Sequence, residues 1–250
     1  MLRPIFKRLG CKYSMLQFIL PLIPPHKTYI EPFFGSGVVF FNKPEQGEKN
    51  IINDADTLLI TDYKIIAKAP IDLFEHSFKA RLTLKEIESI YWSTEDSNTT
   101  SILKAIIRNN NGFNGRPVTK KIYKAVNPNH KSANFPFYVN TLNKATILNK
   151  SYQDVIKAYD SDDSFFYLDP PYEEGNFKKV YDHYSKIDYI ELRDILRSIK
   201  GKFLLSLNSS ANIEELFQEF SISAVLLNTQ AGRTNREPRW ELLISNYISL

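Results

Sequence analysis

The sequence predicts an α/β fold, a mostly parallel sheet with helices packed on it, and three observations carry that prediction. Short apolar runs alternate with stretches of helical periodicity along most of the chain. Thr28-Tyr29-Ile30 runs into the glycine turn Glu31-Pro32-Phe33-Phe34-Gly35-Ser36-Gly37, and Ser164-Phe165-Phe166-Tyr167-Leu168 breaks abruptly at Asp169-Pro170-Pro171. Ligands of open α/β sheets bind at such carboxyl ends of strands. A chain of 250 residues holds one large core with room for an insertion.

Taken in order, the first strand leads through Gly35 and Gly37 into Val38-Val39-Phe40-Phe41, read as the start of a helix. Ile51-Ile52 is a second strand ending in Asn53-Asp54-Ala55-Asp56, after which Leu58, Leu59, Tyr63 and Ile66 recur at helical spacing. Thr83 and Glu86 form a capping-box pair, and Ile102, Leu103, Ile106 and Ile107 mark a further helix. From Asn109 to Ala145 the pattern lapses into asparagine, glycine, proline and lysine, and this stretch is read as the insertion. Thr146-Ile147-Leu148 resumes the ordered chain. The continuously apolar run before Asp169 suits a parallel strand buried on both faces. Asp188, Leu192, Ile195, Leu196 and Ile199 follow a helical stripe stopped by Gly201, and Lys202 to Leu207 is another buried strand. Ile213 to Phe220 is read as a helix, with Ala224 to Leu227 and Glu241 to Tyr247 as the closing strands.

Composition narrows the function classes. Lysine and arginine number 32 against 28 acids, a net charge of +4, too modest to demand a nucleic-acid partner but permitting one where the basic residues gather. Cys11 is the single cysteine, so no disulfide framework or cysteine-rich zinc site is built within the chain, and a reducing compartment fits. Arg3, Lys7, Arg8 and Lys12 interrupt the N-terminal apolar positions, and no apolar run approaches the roughly 20 residues of a membrane span. Neither a signal peptide nor an anchor is expected.

Asp169-Pro170-Pro171-Tyr172 is the strongest chemical signal. A carboxylate followed by a main-chain carbonyl held by two prolines offers two acceptors to the two hydrogens of an amino group, and Tyr172 offers a face on which a planar base stacks. An isolated Asp-Pro-Pro would be only a rigid turn; the apolar strand before it, Tyr172 after it and the upstream glycine turn favour the functional reading. Gly35 and Gly37 leave room for a ligand to approach the backbone, and a following helix would offer free N–H groups to a carboxylate such as that of a methionine tail. The longer glycine fingerprint of dinucleotide folds is missing here. Asp54, at the next strand end, is placed as a ribose-binding acid, while Asp56 fits better as the cap of the following helix.

These segments, in this order, resemble the Dam-type (D12) family of adenine-N6 DNA methyltransferases over nearly the whole chain. Pro4, Phe6-Lys7 and Gly10-Cys11-Lys12-Tyr13 resemble the opening motif, Glu31 through Gly37 the cofactor loop, Asp169 through Tyr172 the catalytic turn, and Glu241 through Tyr247 the closing strand. The resemblance implies a seven-stranded, Rossmann-like methyltransferase sheet and S-adenosyl-L-methionine as cofactor, with no metal. It implies cofactor contacts from Lys12, from Glu31, Pro32, Phe33, Phe34, Gly35, Ser36 and Gly37, from Asp54 and from Asp169. Arg8 stands where relatives carry an aromatic residue beside the cofactor, and Cys11 replaces a glycine; Phe6 is a candidate substitute ring.

The same resemblance divides the chain into a catalytic domain, 1–108 and 146–250, and a target-recognition insertion, 109–145, to which helical segments from residue 70 onward are candidates to belong. Asn111-Gly112-Phe113-Asn114-Gly115 resembles the segment that opens this region. Arg108, Arg116, Lys120, Lys121, Lys124, His130 and Lys131 surround it as candidate phosphate contacts, with Asn111 and Asn114 beside them as candidate base readers; a solvated charge run is the plainer alternative. Asn134-Phe135-Pro136-Phe137 resembles a recognition element of GATC-specific relatives, without its neighbouring arginine and glycine, and adds Asn134 and Pro136 to the DNA candidates. Gly175, Asn176, His183 and Tyr184 are candidates for a loop at the pocket mouth, and Arg233, Thr234, Asn235, Arg236 and Arg239 for a second basic cluster.

The expected substrate is therefore duplex DNA, with a flipped adenine as target and a cognate restriction endonuclease as a candidate partner, in the cytoplasm or wherever that DNA sits in a reducing compartment. Transfer to cytosine N4 is the near alternative. An RNA or protein amide methyltransferase and a catalytically silent DNA-binding relative are the distant ones.

Overall fold

The computed structural model describes residues 1–45, 49–71, 82–112, 118, 121–122, 134–172, 187–227 and 239–247. Its centre is a seven-stranded sheet in the order β3-β2-β1-β4-β5-β7-β6, built from β1 (Thr28–Glu31), β2 (Lys49–Asn53), β3 (Ala145–Leu148), β4 (Ser164–Leu168), β5 (Lys202–Asn208), β6 (Ser221–Leu227) and β7 (Arg239–Ser245). The first five are parallel to one another, with Thr28 opposite both Lys49 and Ser164 and Leu168 opposite Leu205; β7 runs antiparallel to β5 and to β6. The order reverses between β1 and β4, so the loops leaving those two strands diverge and open a crevice at their carboxyl ends.

Alternation of side chains along the strands splits the core in two. Tyr29, Phe165, Tyr167, Leu204 and Leu243 face one layer, and Ile30, Phe166, Leu168, Phe203, Leu205 and Leu242 face the other. All five residues of β4 are buried, as its apolar run predicts. The first layer holds the one-turn helix α1 (Leu16–Ile19), α2 (Thr57–Ala67) and Val38 through Phe41; α6 (Tyr152–Tyr159), α7 (Tyr189–Ser198) and α8 (Ala211–Leu216) cover the second. A smaller cluster of Ile87, Ile107, Val118 and Ile122 ties α3 (Leu84–Trp92) to α4 (Asn98–Asn110). The Thr83–Glu86 capping box opens α3, and Asp56 caps α2 by accepting from the Leu59 N–H, both as expected. No helix among the described residues is long and apolar enough to cross a membrane.

Two local expectations fail. Val38 to Phe41 form no regular helix: Phe41 N–H bonds the Gly37 carbonyl and Lys43 N–H the Val39 carbonyl, within a run of turns. Four consecutive buried side chains, Val38 to Phe41, cannot lie on one stripe of a helix, and Gly37 at φ +63° is outside the helical region.

Within 109–145, Phe135–Asn143 is a helix, α5, whose Phe135, Tyr138, Val139 and Leu142 are buried in the first core layer against α2. Their i, i+3, i+4, i+7 spacing was present in the sequence, hidden by flanking asparagines and by Pro136. Proline within the first turn is compatible with a helix because the N–H it lacks has no intrahelical partner there. Two smaller differences close the fold: α8 ends at Leu216, and β6 begins at Ser221.

Candidate active site

Three carboxyl-end loops build the site: Pro32 to Gly37 after β1, Asp54 to Asp56 after β2, and Asp169 to Tyr172 after β4. The N-terminal segment adds Lys12, the first residue of a short 3-10 helix. An ammonium only 5% exposed needs close partners. Lys12 Nζ has them: Asp169 Oδ1 at 2.7 Å, the Gly10 carbonyl at 3.1 Å and the Tyr172 ring at 4.6 Å from its centroid. The lysine and the acid singled out separately in the sequence therefore form one ion pair across the crevice.

Asp169 keeps 21% of its side chain exposed, which leaves an edge for a ligand. Its Oδ1 also lies 3.2 Å from Ser206 Oγ on β5. Tyr172 is 9% exposed and donates its hydroxyl to Glu241 Oε2 at 2.8 Å, so β7 anchors the tip of the catalytic turn. Burial, then the charges of Asp169 and Glu241, hold the Tyr172 phenol well above its ordinary pKa and keep that proton in place. Tyr189 Oη donates to the Pro171 carbonyl at 2.9 Å and braces the turn from α7.

The glycine loop is organised by Asp54. Its Oδ2 accepts from Gly35 N–H at 2.8 Å and its Oδ1 from Asp56 N–H at 2.9 Å, while Tyr63 donates to the Gly35 carbonyl. Burial raises the Asp54 carboxyl above its usual range, against the two backbone bonds that lower it. The two glycines do different work. A Cβ on Gly35 would meet open space, so its need is conformational, at φ +48°; a Cβ on Gly37 would stand 2.4 Å from the Phe34 ring, so its need is the packing of Phe34. Open space thus lies beside Gly35, while the space beside Gly37 is filled by the Phe34 ring. Ser36 is buried beside them. Glu31, 2% exposed, accepts from Tyr29 Oη at 2.8 Å; burial pushes its carboxyl well above the usual range, with the Asp169 charge adding to the shift.

A cavity of about 220 Å³ opens beside this loop, lined by Pro32, Phe33, Asn53, Ala55 and Tyr152 among others. The Phe33 and Tyr152 rings sit 5.1 Å apart at 36°, and Asn53 bridges the loops by donating to the Pro32 and Lys150 carbonyls. Asp169 does not line it; Lys150 and Ser151 after β3, and Ile187, Asp188 and Glu191 at the start of α7, complete the wall. Complete pockets for drug-sized ligands run to about 300–1,000 Å³, so this space suits one part of a larger cofactor.

The N-terminal aromatic wall differs from the expectation. Phe6 is fully buried against Tyr63, with ring centroids 4.7 Å apart, and is no substitute ring for a cofactor. Arg8 is buried with its guanidinium 3.4 Å from Asp56, which places a cation behind Asp54.

Two DNA candidates are held within the fold. Arg108 Nη1 is 2.5 Å from Oδ1 of the buried Asp62, an ion pair that straps α4 to α2, and Asn111 is buried at the C-terminal cap of α4. A side chain so engaged does not stand clear for a phosphate. Lys121 and Asn134 are exposed, and Pro136 is a half-buried helix starter. Asn114, Arg116, Lys120, Lys124, His130 and Lys131 lie outside the described residues, as do Gly175, Asn176, His183, Tyr184, Arg233, Thr234, Asn235 and Arg236. Arg239 opens β7.

Sequence reasoning missed Tyr152, Tyr167, Ser206 and the anchoring role of Glu241. A signal existed for the last two: a lone hydroxyl inside an apolar strand, and a carboxylate at the head of one.

A sheet in this order, with an acid at the switch point and a glycine loop facing it, defines a Rossmann-like methyltransferase. Residues 9–229 match the family model of the D12 class N6 adenine-specific DNA methyltransferases, and the chain belongs to that family. It is 27% identical over 238 residues to the type II methyltransferase M.CviBI of Paramecium bursaria Chlorella virus NC1A, covering 88% of each chain. It is also 27% identical over 287 residues to the type II methyltransferase M.MjaIII of Methanocaldococcus jannaschii, covering 98% of this chain and 99% of the relative. A DNA adenine methylase of Vibrio cholerae is 26% identical over 68% of this chain and 65% of its own length. The protein is an adenine-specific DNA methyltransferase.

Proposed function

We propose that the chain transfers a methyl group from S-adenosylmethionine to N6 of an adenine flipped out of duplex DNA, with Asp169 and the Pro170 carbonyl binding the amine and Tyr172 lying against the base. The observation that carries this reading is the placement of Asp169: it follows the carboxyl end of β4 at the reversal point of the sheet, ion-paired to Lys12 and partly exposed.

The N6 lone pair is delocalised into the purine ring and makes a poor nucleophile. Two acceptors drawing on its hydrogens localise that lone pair and stabilise the positive charge that grows on nitrogen as the N–CH3 bond forms and the sulfonium S–CH3 bond breaks; S-adenosylhomocysteine leaves and the methylated nitrogen gives up one proton to solvent. The prolines fix the carbonyl acceptor, and the Lys12 ammonium holds one oxygen of the carboxylate. Unpairing the base costs a few kcal/mol, which a pocket of aromatic and acceptor groups offsets.

S-Adenosylmethionine would supply an activated methyl group from its sulfonium, and Phe33, Tyr152, Gly35 and Asp54 are the residues that would hold it. The exposed Lys121 and Asn134 keep 109–145 as the proposed target-recognition region, in which basic side chains would contact phosphates and asparagines would read base edges. Two relatives are type II methyltransferases, and a cognate restriction endonuclease is the proposed partner class.

Replacing Asp169 by alanine tests the site. Methyl transfer to duplex DNA falls by about 100-fold or more, the order lost when a preorganised catalytic group is removed, while the protein stays folded. Transfer at the wild-type rate by a variant that still binds cofactor refutes the assignment.

A further inference from the structure

Ser206 interrupts an apolar strand. Phe203, Leu204, Leu205 and Leu207 of β5 are buried around it, and a hydroxyl with no exposed surface costs free energy unless it is bonded. Its Oγ lies 3.2 Å from Asp169 Oδ1, 3.2 Å from the Tyr167 hydroxyl and 3.4 Å from the Leu168 carbonyl.

Proton counting sets the direction of these bonds. The carbonyl and the carboxylate, ion-paired to Lys12, can only accept, and Ser206 has one proton to give. The nearer and charged oxygen, Asp169 Oδ1, takes it. Tyr167 must then be the donor to Ser206. Burial, followed by the Asp169 charge, raises the Tyr167 phenol well above its ordinary pKa, so it keeps a proton to give. The outcome is a one-way chain from Tyr167 through Ser206 to Asp169 Oδ1.

The same oxygen receives Lys12 Nζ at 2.7 Å. The Tyr172 hydroxyl stands 3.4 Å from Oδ1 but only 2.8 Å from Glu241 Oε2, and its single proton goes to Glu241. Oδ1 is therefore held by two donors from opposite elements, the N-terminal segment and β5. No bond among the described residues reaches Oδ2.

We propose that Ser206, supplied by Tyr167, is a positioning residue for methyl transfer: with Lys12 it pins Oδ1 of Asp169, so that Oδ2 is the acceptor presented to the target amine. This rests on the reading of Asp169 as the amine-binding acid. The last torsion of an aspartate is broad and nearly two-fold, so one donor leaves the carboxylate plane free to swing, and two fix it. A misaligned acceptor costs rate and leaves binding of cofactor and DNA untouched.

The test is the single-turnover rate of methyl transfer to duplex DNA, measured beside S-adenosylmethionine and DNA affinities, for wild type, Ser206→Ala, Tyr167→Phe, the double variant and Asp169→Ala. Ser206→Ala is expected to lose about tenfold or more in the chemical step, as for loss of a bond to a charged group, with both affinities within about twofold of wild type. Tyr167→Phe loses less, and the double variant is no slower than Ser206→Ala, because both changes cut one chain.

A Ser206→Ala enzyme at the wild-type rate overturns the proposal, as do losses that multiply in the double variant. Should Ser206→Ala fail to fold, Tyr167→Phe decides: a wild-type rate there overturns the chain. Activity retained in Asp169→Ala instead overturns the reading of the site and this proposal with it, whereas an inactive Asp169→Ala beside an unimpaired Ser206→Ala overturns the role of Ser206 alone.

Discussion

Gly37 and Asp169 illustrate two kinds of residue at this site, one fixed by packing and one by chemistry. Gly37 sits at φ +63° with the Phe34 ring where a side chain would begin. Gly37→Ala therefore displaces the Phe34 ring and loosens the loop from Pro32 to Gly37, and thermal denaturation should show a lowered Tm. Gly35→Ala carries only the conformational cost, about 1–2 kcal/mol for an L-residue in the left-handed region, and should lower Tm less. Equal losses in the two variants would contradict the division of labour between them. From the sequence both glycines looked alike, because which ring would lie against which backbone is a tertiary fact. Asp169 and Lys12 were each legible as motif residues, but their ion pair joins positions 157 apart, and no local pattern announces it.

Elements were most legible where one face is apolar and the other polar, or where both faces are buried. The buried strands β4 and β5 and the capped helices α2 and α3 follow directly from runs, periodicity and caps. Val38 to Phe41 misled because a wholly apolar run does not distinguish a helix from a set of turns folded into the core. At α5 the reverse occurred, as loop-like flanks concealed a helix that tertiary packing stabilises.

The strap between α2 and α4 gives a prediction at this scale. Burial raises the Asp62 carboxyl from 3.8 to about 6, against the opposing pull of Arg108 and Asn109. The folded state thus holds this proton more tightly than the unfolded chain, and the group's contribution to stability is full below pH 3.8 and is lost as the pH rises through 6. Denaturant midpoints across this range should carry a downward slope from Asp62 that Asp62→Asn removes. Identical slopes in the two proteins would show that Asp62 does not titrate there.

Across the whole molecule, the sheet order gathers three loops at the carboxyl ends of β1, β2 and β4, and a cavity opens against the first two of them. The identity of the methylated atom is the claim that joins these parts, since the same pair of acceptors suits adenine N6 and cytosine N4. Nucleoside analysis of duplex DNA incubated with the protein and S-adenosylmethionine tests it most directly. The account predicts N6-methyladenine, abolished in Asp169→Ala; N4-methylcytosine, or no methylated base at all, would contradict it.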